Sequence, residues 1–552
     1  MTIVNSHCQI PMRLHEIMFW GFQTLLLFTV LGCGPINSSE PQQIQEVHSS
    51  EASIEKTFTL SDELSQISRY SVMSSCSSTG CHGQEFPVKT NTEVRSCGRN
   101  EAVIWHEVDP HTGALSCLNS PLAAQIMSKL YDENNRLAIR ETSCLSCHAP
   151  QLIPSGFTEK QIELAVMPQN TECMMCHGVE GEWIQAHPNW SVSLENSDEK
   201  RMRDAGMTPL SQPHQRVQLC ASCHIGSAGD ANQGMVSREV NHDMIGAGHP
   251  RLDFDFSAFS NAILPHWNHE HEEDHDHLSN WILGQWYGMQ ATLELLEYRL
   301  QTDATGNSQL EFSEMNCFAC HRDLDNRVLP MKVNQHEGSK WGNPYQEFFP
   351  AMLDSFFHAQ NDNKESLVEI VQLKNNLASI DKGFEIHNWS RLDREKGSCK
   401  NSLNAMELIQ QSEILITPFN SEIEMAQVET FLAAVQKTVR EDLRQNHLSW
   451  RKAVSLTLLI PHLLAEVEIQ TALKVEIESE LDELRQVLDF ETIPDSSGAG
   501  RKYLFHSPAG YFANAETGIL IESILSKLDS IFSIKDPDVI PEPILDTQTP
   551  LN

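Results

Sequence analysis

The sequence predicts a mainly α chain in two parts: a loop-rich segment built around repeated cysteine–histidine motifs, then an all-α helical bundle. Three observations carry that reading. Five copies of a Cys…Cys-His motif lie between Cys76 and His321, and none follows. Around them Gly, Pro, Ser and His are scattered with little periodicity, as in chain that wraps rather than runs in long elements. From about residue 331, apolar residues recur at three and four positions among helix-favouring Glu, Gln, Leu and Ala.

Composition narrows the function classes. The chain has 552 residues, enough for about three domains, with 39 Lys plus Arg against 75 Asp plus Glu, a formal charge of −36. That balance excludes a nucleic-acid binder, which needs a cationic footprint, and adsorption to anionic lipid headgroups. Hydrophobic residues at 40% exclude wholesale disorder. Beyond the N-terminus no stretch is long and apolar enough to span a bilayer.

In chain order, Met18–Gly32 is short and apolar, Arg13 precedes it, and Cys33 follows Val30-Leu31-Gly32. Residues 1–32 therefore read as a secretory signal and Cys33 as a lipidation site, with an uncleaved anchor as the alternative. Either way the protein is exported, anchored to a bacterial membrane and facing the periplasm. The absence of a retention signal at Gly34 favours the outer membrane. Residues 33–53, rich in Ser, Gln, Glu and Pro, read as a flexible tether.

The segment 54–330 holds the motifs. Four are Cys-x-x-Cys-His: Cys144/Cys147-His148, Cys173/Cys176-His177, Cys220/Cys223-His224 and Cys317/Cys320-His321. A wider copy, Cys76/Cys81-His82, precedes them. Two residues between the cysteines let both thiols reach the vinyl groups of one haem, and the next histidine falls beneath the iron; this is c-type attachment. A four-residue spacer can loop out and keep that reach. Zinc sites and redox dithiols use paired cysteines too, but neither needs the histidine. The expectation is five covalent haems c.

Ten of the 15 cysteines are thus assigned. Cys97 and Cys117 are candidates for a disulfide, and Cys399 for a packing thiol. Low-spin haem asks for a second strong axial ligand, which helps to set its potential. The candidates among the motifs are His106, His111, His187, His242 and His249, with His214, His266, Met207 and Met244 in reserve.

From about Cys76 to Leu324 the chain resembles the multihaem cytochrome c family related to the tetrahaem partner of hydroxylamine oxidoreductase, the cytochrome c-554-like proteins. The resemblance rests on Asp109-Pro-His111-Thr-Gly-Ala, on Glu172-Cys-Met-Met-Cys-His-Gly178 followed by Trp183 and His187, and on Cys220-Ala-Ser-Cys-His-Ile-Gly. It continues in Val240-Asn-His-Asp-Met-Ile-Gly-Ala-Gly-His-Pro-Arg-Leu252, Leu264-Pro-His-Trp267 and Asn316-Cys-Phe-Ala-Cys-His-Arg-Asp-Leu324. It implies proximal ligation by the five motif histidines and distal ligation by His111, His187 and His249. The wide first motif, the fifth motif and the long C-terminal region depart from that pattern.

Asn280–Gln301 reads as a helix leading into the last motif. His266–His277 is an acidic histidine run that reads as a solvated insert rather than a dedicated metal site. Residues 331–535 form the helical domain, with helices expected over Ser366–Ala378, Ser402–Glu413, Ser421–Gln445 and Ser449–Leu488, and a final one within Tyr503–Leu528. Residues 536–552 read as a disordered tail.

These features predict an electron carrier more readily than an enzyme. An acidic surface with haem propionates steers basic redox partners. The alternative is a multihaem oxidoreductase with one open iron acting on a small nitrogen or sulfur compound. No Cys-x-x-Cys-Lys variant marks such a site, and histidines outnumber the ligands required.

Overall fold

The computed structural model describes residues 81–83, 100–131, 143–150, 173–178, 182–190, 197–210, 212–229, 237–250, 252, 254–262, 277–300, 311–315, 341–342, 345, 347–358, 364–384, 389–411, 425–445, 448–465, 467, 469–488, 491–493, 501–503 and 515–532. Several expectations fall outside them: the signal 1–32, Cys33 and the tether 33–53, Cys76, Cys97, the histidine run 266–276, the fifth motif with Cys317, Cys320 and His321, the boundary at 330/331 and the tail 536–552.

The described chain is mainly α. Ten helices occupy the first part: α1 Glu101–Val108, α2 Ala114–Cys117, α3 Pro121–Leu130, α4 Leu145–His148, α5 Met174–His177, α6 Trp183–Ala186, α7 Ser197–Asp204, α8 Pro213–His224, α9 His242–Ala247 and α10 Phe256–Ala262. This region is more helical than its loop-rich sequence suggests. Its helices are of 4–12 residues, too short to show a clear period. Their ends are marked instead. Ser120 Oγ accepts from Ala123 N at 3.1 Å ahead of Pro121, and Asn241 Oδ1 accepts from Met244 N at 2.9 Å.

Then come α11 His277–Arg299, α12 Phe349–Met352, α13 Lys364–Gly383, α14 Trp389–Gln411, α15 Met425–Gln445, α16 Trp450–Ala465, α17 Thr471–Val487 and α18 Ala515–Ile531. The expected helices are present, with α14 beginning well before Ser402. The stretch Ser449–Leu488 is two helices rather than one, broken between Ala465 and Thr471. An antiparallel pair of strands, β1 Glu491–Ile493 and β2 Arg501–Tyr503, pairs Thr492 with Lys502; three-residue strands left no signal in the sequence.

Helix α11 is the pivot. It packs on α8, which carries a Cys-x-x-Cys-His motif, on α10, and on α14 and α16 of the helical part. Its Leu278, Trp281, Ile282, Trp286, Met289, Leu293 and Leu296 are fully buried. Each such large side chain contributes about 1.5–3 kcal/mol by leaving water. One hydrophobic core therefore runs from Val217 on α8, through α11, to Leu528 on α18. Helix α11 allows close approach at Gly288, where a Cβ would lie 2.4 Å from the Tyr345 ring. Cys399 sits fully buried in this core, the packing position expected of it, and Cys117 is exposed.

Candidate haem-binding site

The described motifs are built on single helical turns. Helix α4 follows Cys144 and holds Cys147 and His148; α5 follows Cys173 and holds Cys176 and His177; α8 ends in Cys220, Cys223 and His224. One turn brings residues three apart to the same face, so both thiols of a motif point together and the histidine stands beside them. Cys81 and His82 lie in a turn, with Cys81 exposed. Cys76, which completes the first motif, and Cys317, Cys320 and His321, which make up the fifth, lie outside the described residues. Their attachment and ligation therefore rest on the sequence motif alone.

The imidazoles are held in one tautomer. His148 Nδ1 donates to Ala114 O at 2.8 Å and His249 Nδ1 to Pro250 O at 2.8 Å. His187 Nδ1 shares the carbonyls of Trp183 (3.1 Å) and Ile184 (3.0 Å). His82 Nδ1 meets Glu101 Oε2 at 2.9 Å, and His111 Nδ1 meets Asp109 Oδ1 at 2.7 Å. These oxygens accept, so each Nδ1 carries a proton, and a neutral ring so held presents its Nε2 lone pair, the form that ligates iron.

These histidines, with His224, lie in close pairs. His82 and His187 have ring centres 6.4 Å apart, as do His148 and His249. The Nε2 atoms of His111 and His224 face each other at 3.4 Å. Two metal–imidazole bonds of about 2 Å each set nitrogens about 4 Å apart and ring centres about 6 Å apart. The residues present therefore fit haem iron held between two histidines, and each pair joins one motif histidine to one from outside the motifs.

The sites crowd together. The Cys147 and Cys223 thiols hydrogen-bond to one another, which pushes Cys147 up and draws Cys223 down. Burial raises the Cys176 thiol, and the neighbouring Cys220, Asp109 and Cys223 add to the rise. His224 is lowered to about 4, first by burial and then by His111 and His148 beside it, which keeps it neutral. Burial and His148 likewise lower His249, against the pull of Pro250 O. Three motifs thus converge on one region of the fold.

Aromatic rings fill the gaps. Phe254 lies against His224 with ring centres 5.2 Å apart, and Phe259 against His111 at 5.6 Å. Trp183, buried, stands 6.4 Å from His177 and 5.4 Å from His187. At Gly248 (φ 121°) the chain leaves α9 and turns His249 toward His148; a side chain there would be strained.

The other described candidates lie elsewhere on the short helices and the turns between them. His106 is exposed on the last turn of α1. His242 opens α9, with its N–H donating to Glu311 Oε1 at 2.7 Å and its ring edge on Phe312 at 5.6 Å, close in sequence to the fifth motif. His214 packs on the Tyr287 ring of α11, and burial lowers it. Met207 follows α7 and Met244 lies on α9. His266 lies outside the described residues.

Sequence reasoning passed over Glu101 and Asp109. Asp109 did leave a signal, since Asp-Pro-x is a turn in which the Asp side chain caps the backbone two residues on, and its Oδ1 accepts from His111 N at 2.9 Å. Glu101 left none: it reaches His82 because Ala102 N donates to His82 O at 3.0 Å and docks the start of α1 there.

Residues 93–178, which include His111 and the motifs ending in His148 and His177, match the family described as cytochrome c554 and c-prime. Over this stretch the chain is similar to the cytochrome c554 family. No curated protein and no solved structure matches the chain. Among the described residues no helix is long and apolar enough to cross a membrane.

Proposed function

We propose that this cytochrome relays electrons between redox partners at a periplasmic membrane face through five covalently bound haems, attached at Cys76/Cys81, Cys144/Cys147, Cys173/Cys176, Cys220/Cys223 and Cys317/Cys320 and tethered by a lipid on Cys33. The observation that carries this reading is the set of closely paired histidines. His82 with His187, His148 with His249, and His111 with His224 are spaced to clasp an iron from both sides. When bound, haem iron supplies reversible one-electron chemistry, each ferric centre taking one electron and giving it up again.

The chain supplies the rest. At these three sites two strong ligands would leave no open position for substrate and would keep the coordination the same in both oxidation states. Cys147 and Cys223 lie beside one another, so two attachment sites adjoin and electrons would cross a short gap between their haems. A charge of −36 steers basic partners toward the surface.

The test is a haem count together with low-temperature EPR on the oxidised, haem-loaded chain. Five haems with only low-spin ferric signals from the three pairs are expected. Fewer than five haems would overturn the count. A high-spin signal from a haem assigned to one of these pairs would overturn the relay and turn attention to a multihaem enzyme.

A further inference from the structure

We propose that Asp109 and Glu101 are positioning residues that set the order of haem potentials, making the His111/His224 and His82/His187 sites lower in potential than the His148/His249 site. The inference rests on the pairing above and concerns what lies behind the ligands. Behind His148 and His249 stand neutral carbonyls, Ala114 O and Pro250 O, each at 2.8 Å. Behind His111 stands the Asp109 carboxylate at 2.7 Å, and behind His82 the Glu101 carboxylate at 2.9 Å.

A carboxylate draws the Nδ1 proton toward itself and makes the far nitrogen a stronger donor. A stronger donor at Nε2 favours the ferric over the ferrous state, and so lowers the potential. The negative charge acts in the same direction, because reduction removes positive charge from the iron it faces. Burial sharpens both effects, since charge is poorly screened in a low-dielectric interior. Asp109 is 6% exposed and Glu101 16%, so Asp109 exerts the larger effect.

The geometry is held on several sides. Asp109 Oδ1 receives both the backbone N–H and the ring N–H of His111, and Pro110 between them restricts the turn. Glu101 is the first residue of α1, whose backbone is docked on His82. At the third site both ligands donate to carbonyls, so electrons entering at the other two run downhill toward His148 and His249.

The experiment is a potentiometric titration of the full haem-loaded chain followed by EPR, with the two crossed-ring haems told apart by the component that His249→Ala removes. Asp109→Asn and Glu101→Gln keep an oxygen acceptor and remove the charge. Asp109→Asn is expected to raise the potential of the His111/His224 haem more than that of any other haem. Glu101→Gln is expected to raise that of the His82/His187 haem alone, by less. In the unaltered protein the His148/His249 haem titrates highest of the three. A variant that stays low-spin with its potential unmoved overturns the inference, as does a common shift of all haems. A variant that turns high-spin also overturns it, because the carboxylate then only holds the ring in place. If one variant does not assemble, the other decides, since each acts on a separate pair. A missing low-spin signal in the unaltered chain would instead count against the pairing itself.

Discussion

His148 and His249 have ring centres 6.4 Å apart and planes turned 79° from each other, whereas the planes of His82 and His187, at the same separation, differ by 17°. The orientations have separate local causes. Ala114 O fixes the His148 ring and Pro250 O the His249 ring, each through Nδ1. Nearly parallel axial rings remove the degeneracy of the iron orbitals that overlap them, and crossed rings preserve it. The His82/His187 haem is therefore expected to give a rhombic low-spin EPR signal, and the His148/His249 haem a strongly anisotropic one, as is the His111/His224 haem, whose rings stand at 87°. Replacing His249 with Ala should weaken the anisotropic signal and leave the rhombic one. Loss of the rhombic signal would show that the pairs are wrongly drawn.

Helix α11 ties the motif on α8 to the helical bundle, and its fit depends on Gly288. A Cβ at that position would lie 2.4 Å from the Tyr345 ring, whose hydroxyl donates to Phe254 O at 3.0 Å. Gly288→Ala should therefore cost about 1–3 kcal/mol, read as a lower denaturant midpoint. It should also disturb the haem next to Phe254, which packs on His224. An unchanged midpoint would mean that Tyr345 yields freely.

At the end of α11, Arg299 is 9% exposed and bonds to Glu314 and to Glu239 Oε2, the latter at 2.7 Å. Trp341 Nε1 donates to the other oxygen of Glu314 at 2.9 Å. Burial works against the guanidinium charge, but Glu314 and Glu239 together hold it above its usual value. Arg299→Ala would leave Glu314 charged and buried without its cation, at a cost of about 3–5 kcal/mol. Removing both charges with Arg299→Met and Glu314→Gln should recover part of that loss in thermal unfolding. A single substitution that costs nothing would show that water already screens the pair.

The Cys-x-x-Cys-His motifs and the long helices were legible in the sequence because each depends on neighbours within a turn or two. Two thiols three positions apart with histidine next need only one helical turn to become a haem site. The apolar spacing of Asn280–Gln301 needs only α11. The short helices of the first part were less legible, because elements such as α4 and α5 are single turns without a period.

Which histidine faces which was decided by tertiary structure alone. His111 and His224 are 113 positions apart, and their meeting depends on Asp109, Phe254 and Phe259 around them. Twenty histidines outside the motifs present the same side chain in the sequence. Only folding settles which of them are locked by a carbonyl or carboxylate with Nε2 aimed at a partner. The shared core was hidden for the same reason. Both the α11 stripe and the bundle stripes look like surfaces awaiting cover, and burial is a property of two elements brought together rather than of either one. The sequence by itself thus determined that the chain carries c-type haem motifs, and the tertiary structure decided which ligands meet and what stands behind them.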